Sequence, residues 1–577
     1  METDVLIVGG GPVGLALALD LTRRGVDVVL AEAGNGQVGH PKVSTVGPRA
    51  MEAFRHWGVA DAIRGAGWPA DHTLDIAWVT AVGGHELHRL SLGTAGERPP
   101  SPYTPEPEAI CPQHWLAPLL TARLGVHPAG PVRLGTRLLG FTRLPDRVSA
   151  GLVDGAGVRT TVHARFLVGC DGASSLVRKT CGIDAPERHR TRVLRNILFR
   201  APGLGTLLGG RTALVYFVTE PGGLRYPLRA IDGRDLYRLT CPAGPADAVK
   251  AVRRAVAPDV PVEVVSDSTW HLTHRVASRY RAGRVLLAGD AAHTLSPSGG
   301  FGLTTGVGDA AGLGWKLAAE LAGWAGPGLL DSYESERRPV ALRSLEESHR
   351  NLRRTLDRRL SAALCDATAE GERARAALGR EIAESDPGRE FDAPDAHFAH
   401  RYASPVIADE KAEVEEREEE REEDKVTAEA MGTSPSNADP WWNRTAVPGA
   451  RAPHVWLGPG RSTLDLFGPG FVLLTFGRGA PEALVRAFAD RRVPLRVERC
   501  DDEEVARRYG RPLVLVRPDG HVAWRGTAAP ADPGQLADLV RGAGTTGAGT
   551  GLRADGVGGA GGVGGRGGAG GVGGVGG

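Results

Sequence analysis

The first thirty-two residues constrain this chain more than any other stretch. Val5 to Val8 is a short apolar run ending at glycine, the pattern of a strand buried in a parallel sheet. Gly9-Gly10-Gly11-Pro12-Val13-Gly14 follows, then helical character from Leu15 to Arg24, then a second strand, Val26 to Ala31, closing on Glu32. This is G-x-G-x-x-G between strand and helix, with an acid eighteen residues past Gly14. Gly9 permits the tight turn, Gly11 lets the backbone approach a pyrophosphate, and Gly14 lets helix and strand pack closely. The helix N-terminus faces the phosphates and Glu32 can accept from a ribose hydroxyl. Context decides the matter. Gly556, Gly558 and Gly561 also match the pattern, in a tail with neither strand nor helix. The fingerprint predicts an α/β, Rossmann-like domain and leaves FAD and NAD both open.

Two later stretches belong with the first. Arg165 to Gly169 runs as a strand into Cys170-Asp171-Gly172, and a helix then starts with Ser at its cap and Arg178 one turn on. Arg284 to Ala288 is a strand ended by Gly289-Asp290, and Gly299-Gly300-Phe301-Gly302 leads into a helix from about Thr305 through Leu321. An Asp at a strand end can hold a ribityl hydroxyl. A glycine-rich turn feeding a helix offers N–H groups to an anionic or carbonyl oxygen.

Together, the three motifs resemble the single-component FAD-dependent aromatic hydroxylases, flavoprotein monooxygenases of the p-hydroxybenzoate hydroxylase type. The resemblance implies that Gly9, Gly11, Pro12, Val13, Gly14 and Glu32 hold the ADP half of FAD. It implies that Asp290 meets the ribityl–pyrophosphate region, and that Pro297, Gly300, Gly302, Leu303 and Thr304 lie beside the isoalloxazine. Asp171 and Arg178 would serve FAD and the nicotinamide cofactor. Gln113 and Arg49 match family residues near the flavin. NADH or NADPH would bind transiently as reductant, and O2 would be activated as a flavin C4a-hydroperoxide, with no side chain assigned as catalytic. His293, His114, His271 and His274 read as structural or cofactor-side.

The likeness is closer still to the indolocarbazole flavoenzymes of the rebeccamycin and staurosporine pathways. It rests on Trp68 to His72, Trp78 to Thr80, Thr104 to Glu108, Cys111 to Leu120, His271 to Arg275 and Arg517 to Arg525. Those enzymes work with a cytochrome P450 on chromopyrrolic acid, giving an indolocarbazole aglycone by oxidative decarboxylation. The alternatives are an aromatic polyketide hydroxylase of the tetracenomycin and angucycline type, or a flavin-fold protein that sequesters a reactive intermediate. Two departures stand near the expected ring: Lys42 where the family has Arg, and Leu303-Thr304 where it has Met-Asn. Lysine keeps the charge but loses the bidentate fork.

The expected layout is a discontinuous FAD-binding domain (1–75, 100–180, 271–345) with an inserted β-sheet substrate domain (76–99, 181–270). A helical extension (346–408), a charged linker (409–447), a thioredoxin-like domain (448–542) and a disordered glycine-rich tail (543–577) follow. In the substrate sheet Arg229 and Arg238 are, by the resemblance, candidate contacts for a dicarboxylated substrate. Tyr216 and Phe217 are candidates to stack on a planar aromatic, though only one of two consecutive strand residues can face a pocket.

Bulk properties exclude other classes. A net charge of +1 over 577 residues provides no basic field for nucleic acid. The six cysteines have no CxxC spacing, which argues against zinc and disulfides and fits a reducing cytoplasm. No metal is expected, no membrane span, and the assembly reads as monomer or homodimer.

Overall fold

The computed structural model describes residues 1–42, 44–98, 100–125, 131–219, 227–244, 247–356, 358, 360–391, 393–409, 446–477 and 479–544. The expected charge run beyond Asp409 and the tail from residue 545 lie outside the described residues, as does Arg225, read with Arg229 and Arg238 as an arginine of the substrate strands.

The first sheet is ordered Arg281–Ala282, Val285–Leu287, Arg159–Gly169, Glu2–Val8, Val28–Ala31, Val132–Arg133. From Val285–Leu287 to Val132–Arg133 the neighbours run parallel. A hairpin of Arg137–Arg143 and Val148–Val153 pairs onto Arg159–Gly169. Register places Val8 opposite both Gly169 and Ala31, and Gly169 opposite Leu287. All three motif strands therefore end side by side at one edge, the carboxyl end where open α/β sheets bind ligands. Helix Phe301–Ala322 packs closely with helix Pro12–Arg23: a Cβ at Gly314 would lie 2.0 Å from the Asp20 Oδ2. The helix starts four residues before the expected Thr305 because Gly300 takes a left-handed φ of 68° and turns the chain directly into it.

The second sheet is ordered His293–Thr294, Glu263–Val276, Glu187–Arg200, Leu236–Pro242, Pro227–Ala230, Val215–Val218, Ile76–Val79, Glu86–Leu90. Strand Glu263–Val276 runs unbroken past residue 270 and pairs with His293–Thr294, so this sheet reaches into the third motif. One face buries Tyr216, Phe199, Tyr237, Leu228 and Leu239 with Val252 and Ala255 of helix Ala248–Ala255. The other looks toward the first domain.

The C-terminal block has a four-stranded sheet, Leu495–Cys500, Phe471–Phe476, Leu513–Val516, Val522–Gly526. Its first pair is parallel and the rest antiparallel. Phe471, Leu473, Phe488 and Leu515 form one core with Trp315 of helix Phe301–Ala322 and with Trp324. The helix that begins at the third motif thus ends under the C-terminal block.

Candidate functional site

Gly9 turns the chain at φ 107°, and a Cβ there would lie 2.3 Å from the Cys170 carbonyl oxygen. A Cβ at Gly14 would lie 2.0 Å from the Gly9 carbonyl oxygen. Internal packing demands both glycines. Gly11 differs: nothing lies within 4 Å of where its Cβ would stand. That open space sits at the N-terminus of Pro12–Arg23, where no side chain caps the helix. It is the room an anionic phosphate needs against the helix amides. Val13 packs against Gly289, 3.0 Å from where a Cβ would be, so the first and third motifs touch. The Glu32 carboxylate accepts the N–H of Gly10 and of Gly34, each at 2.6 Å. Each oxygen keeps a further lone pair for a ribose hydroxyl.

Asp290 follows at the end of the third strand. Solvent reaches it, but surrounding protein pushes its carboxyl above the usual range, with His293 and Lys42 acting the other way. Lys42 N–H donates to Gln113 Oε1 at 3.1 Å, which fixes the loop that carries Lys42. Pro297 is exposed, and its carbonyl accepts the Gly300 N–H at 3.1 Å. No side chain caps the helix that starts beyond Gly300, nothing lies within 4 Å of a Cβ at Gly302, and Leu303 is buried.

The other predicted residues are placed differently. Asp171 closes its own turn, accepting from Ser175 Oγ at 2.5 Å and Val177 N–H at 3.0 Å. Arg178 is buried and donates to the Ala291 and Ala173 carbonyls at 2.9 and 3.0 Å. Arg178, through Ala291, holds the second motif against the third. The side chains of Arg49 and Thr304 line a cavity of about 130 Å³ shared with Glu52, His397, Tyr402 and Arg451. Arg49 Nη1 donates to Glu52 at 2.5 Å, and Arg451 reaches the same carboxylate from the C-terminal block. Burial would raise Glu52, but Arg451 and Arg49 outweigh it and hold it at about 2.

On the substrate sheet Arg229 stands directly opposite Arg238. Arg238 is buried and its Nη1 donates to the carbonyls of Pro41 (2.5 Å) and Lys42 (3.1 Å). Burial, then the charge of Arg229, pushes its guanidinium down from the ordinary value. The Tyr216 expectation is corrected. Tyr216 is 2% exposed on the helix-backed face, its hydroxyl accepting the Ala213 N–H at 2.8 Å. Val215 pairs with Arg229, so strand alternation leaves Phe217, not Tyr216, on the arginines' face. Phe217 stacks on Trp78 with centroids 5.2 Å apart. Sequence reasoning missed Glu390. Burial pushes it up to about 7, opposed by Arg229 and by the Gly299 N–H, so it lies between the substrate sheet and the third motif. It sits in the short 3-10 helix Pro387–Glu390, where no motif marks it.

Comparison with known proteins adds to this geometry. Residues 2–348 match the FAD binding domain family and residues 445–543 the family described as aromatic-ring hydroxylase, C-terminal. The chain belongs to the FAD-dependent aromatic-ring hydroxylases. The tetracenomycin B2 monooxygenase-dioxygenase of Streptomyces olivaceus is 31% identical, over 94% of this chain and 98% of that one. Aklavinone 12-hydroxylase RdmE of Streptomyces purpurascens is 32% identical, over 93% and 98%. The structure of the rebeccamycin biosynthetic enzyme RebC with reduced flavin superposes with a TM-score of 0.87 at 56% identity, over 94% of this chain and 99% of RebC. The hydroxylase is an FAD-dependent monooxygenase, and the open Gly11 cradle and the Glu32 carboxylate fit that cofactor. Among the described residues no helix is long and apolar enough to cross a membrane, and no cluster could hold a metal ion.

Proposed function

We propose that this hydroxylase oxidises a large planar aromatic derived from chromopyrrolic acid, on the way to an indolocarbazole aglycone, in concert with a cytochrome P450. One observation carries the reading: RebC soaked with chromopyrrolic acid is 56% identical over 94% of this chain, with a TM-score of 0.87. The paired arginines support it. Two arginines paired across neighbouring strands, Arg238 buried and Arg229 half-buried, are relieved by a carboxylate placed against them, and a dicarboxylated substrate supplies one.

FAD, when bound, supplies electron transfer from NADH or NADPH and the activation of O2. The chain's own residues bind, orient and exclude water. Gly11 and the first helix would hold the pyrophosphate, Glu32 the adenosine ribose and Asp290 the ribityl region. Lys42 would keep a positive charge over the flavin loop, where Gln113 holds its backbone. Trp78, Phe217 and Phe391 form an aromatic wall on the arginines' side of the substrate sheet. Glu390 can take or release a proton near neutral pH beside Arg229. The C-terminal block would be a thioredoxin-like module. Its sheet order, second strand–first–third–fourth with only the first pair parallel, supports this. Its lone Cys500 is buried with its thiol raised by burial, so it would have no dithiol chemistry.

The test is anaerobic flavin reduction by NADH and NADPH, with and without a chromopyrrolic-acid-derived intermediate, followed by product analysis. Bleaching accelerated by that compound is expected. Tight binding without bleaching would replace catalysis with sequestration, and turnover of an anthracycline-type polyketide instead would reassign the substrate. Arg229→Gln should weaken binding of chromopyrrolic acid by about 10- to 100-fold, the usual worth of a charge-assisted contact. A decarboxylated analogue should lose far less. Equal losses for both ligands would remove Arg229 from carboxylate recognition.

A further inference from the structure

The buried charges behind the third motif form a continuous chain that cofactor binding does not obviously require. Asp309, on helix Phe301–Ala322, is fully buried. Its Oδ2 accepts the Gly289 N–H at 3.1 Å and His293 Nε2 at 2.7 Å, the two ends of the turn that carries Asp290. Its Oδ1 accepts Arg337 Nε at 2.9 Å. Burial would raise this carboxyl, but His293 and Arg337 outweigh it and hold it below the usual range. Arg337 belongs to helix Ser332–Leu356 and fills a slot that only glycine leaves open: a Cβ at Gly308 would lie 2.7 Å from its Nη2. Its other nitrogens donate to the Thr305 carbonyl and to the Tyr402 hydroxyl, both at 2.9 Å. The Tyr402 ring stacks on His521 of the C-terminal block, with centroids 4.2 Å apart, and the Arg517 guanidinium lies over the Tyr402 ring at 5.5 Å.

We infer that Arg337 is a positioning residue for the flavin site: through Asp309 it holds the Gly289–His293 turn in shape, and Tyr402 connects that hold to the C-terminal block. The inference rests on the reading that this turn contacts FAD. It gives the C-terminal block a task beyond packing, because the block secures the far end of the arginine whose near end secures the turn. A carboxylate that must receive two turn donors at once is effective only while it stays ionised, and Arg337 supplies the charge that keeps it so.

The experiment measures FAD affinity of the full-length apoprotein by quenching of flavin fluorescence, beside the melting temperature of the apoprotein. Arg337→Gln should raise the FAD Kd by about 10- to 100-fold, the effect typical of losing an outer partner. Arg337→Lys should recover part of it by restoring charge. Tyr402→Phe, which removes one hydroxyl and keeps the stacked ring, should raise the Kd about 2- to 10-fold with the melting temperature nearly unchanged. A lower melting temperature with unaltered FAD Kd in Arg337→Gln, and no change of Kd in Tyr402→Phe, would overturn the inference and leave Arg337 a purely architectural residue. Asp290→Ala is the control. If it too leaves FAD binding unchanged, the placement of FAD at this turn has failed instead.

Discussion

Gly11→Ala is expected to give a folded protein that has lost FAD, purifying colourless with an apoprotein melting temperature close to that of the parent. The basis is an asymmetry among the three fingerprint glycines. A methyl at Gly11 meets no protein atom within 4 Å. At Gly9 or Gly14 it meets a carbonyl oxygen at 2.3 or 2.0 Å, so the turn itself must deform. Gly11 is also not at a positive φ: its φ is −67° and ψ 172°, extended backbone that alanine adopts without strain. The only thing its methyl obstructs is what enters from outside. A methyl between the helix amides and a pyrophosphate lengthens every phosphate contact at once, so FAD affinity should fall about 100-fold or more. Gly14→Ala should lose FAD and stability together, because its clash lies inside the fold. Titration of FAD into each apoprotein, beside thermal unfolding, separates the two. If Gly11→Ala binds FAD normally, the pyrophosphate does not pass over this turn. If it melts as early as Gly14→Ala, the open space closes in solution and the argument from packing fails.

The strand ends that build this site were legible in the sequence because each is local. Strand, glycine turn and helix follow one another within about fifteen residues, and backbone chemistry alone dictates their order. What was not legible is pairing across the chain. Asp171 and Arg178 sit in a motif that announces a cofactor, but their polar atoms turn inward, to Ser175, Val177, Ala173 and Ala291. The contact to Ala291 in particular shows only once the second motif is docked on the third. Tyr216 and Phe217 pose a parity question: period-2 alternation says one faces the pocket, and only the position of helix Ala248–Ala255 says which. Glu390 and Asp309 carry no local signature, because a buried carboxylate looks like any other until its arginine arrives from a different element. Strand Glu263–Val276 was cut at residue 270 in the expected layout for a related reason. Its first half, with no buried residue, reads as sheet and its second half, His271 to Arg275, where Leu272 and His274 are buried, reads as a family motif, while the backbone runs straight through both.

Arg517→Met is expected to undo the attachment of the C-terminal block, with the largest loss of stability among single substitutions at that junction. Arg517 is fully buried. Its two terminal nitrogens each donate to one oxygen of Glu336 at 2.7 Å, and Nη2 also donates to Asp519 at 2.6 Å. Glu336 further accepts from Lys316 Nζ at 2.7 Å and Ser404 Oγ at 2.6 Å. Removing the arginine leaves two buried carboxylates facing one lysine, and breaking a buried pair in this way costs about 3–5 kcal/mol. Glu336→Gln in the same chain removes one of the stranded charges, so the double variant should be less destabilised than the two single losses added together. Acid should act on the same joint. Burial would raise Glu336, but Arg517 and Lys316 outweigh it and hold it at about 2, against 4.5 for a free glutamate. A carboxylate depressed in the folded state stabilises it fully above the ordinary value, and that stabilisation is lost as pH falls through the folded value. Glu52, held at about 2 by Arg451 and Arg49 across the same two parts of the chain, adds to the effect in the same window. The wild-type joint should therefore weaken progressively between pH 4.5 and pH 2. Arg517→Met should show a smaller slope there, because its Glu336 has already lost most of what held it ionised. Thermal unfolding followed by tryptophan fluorescence at pH 5, 4 and 3 reads both effects, since Trp315 lies beneath Arg517 at 5.2 Å. An Arg517→Met protein with the parental melting temperature, or with the parental slope in acid, would mean that the block is held by its apolar contact with Trp315 and Trp324 and that the ion pairs only fix its orientation.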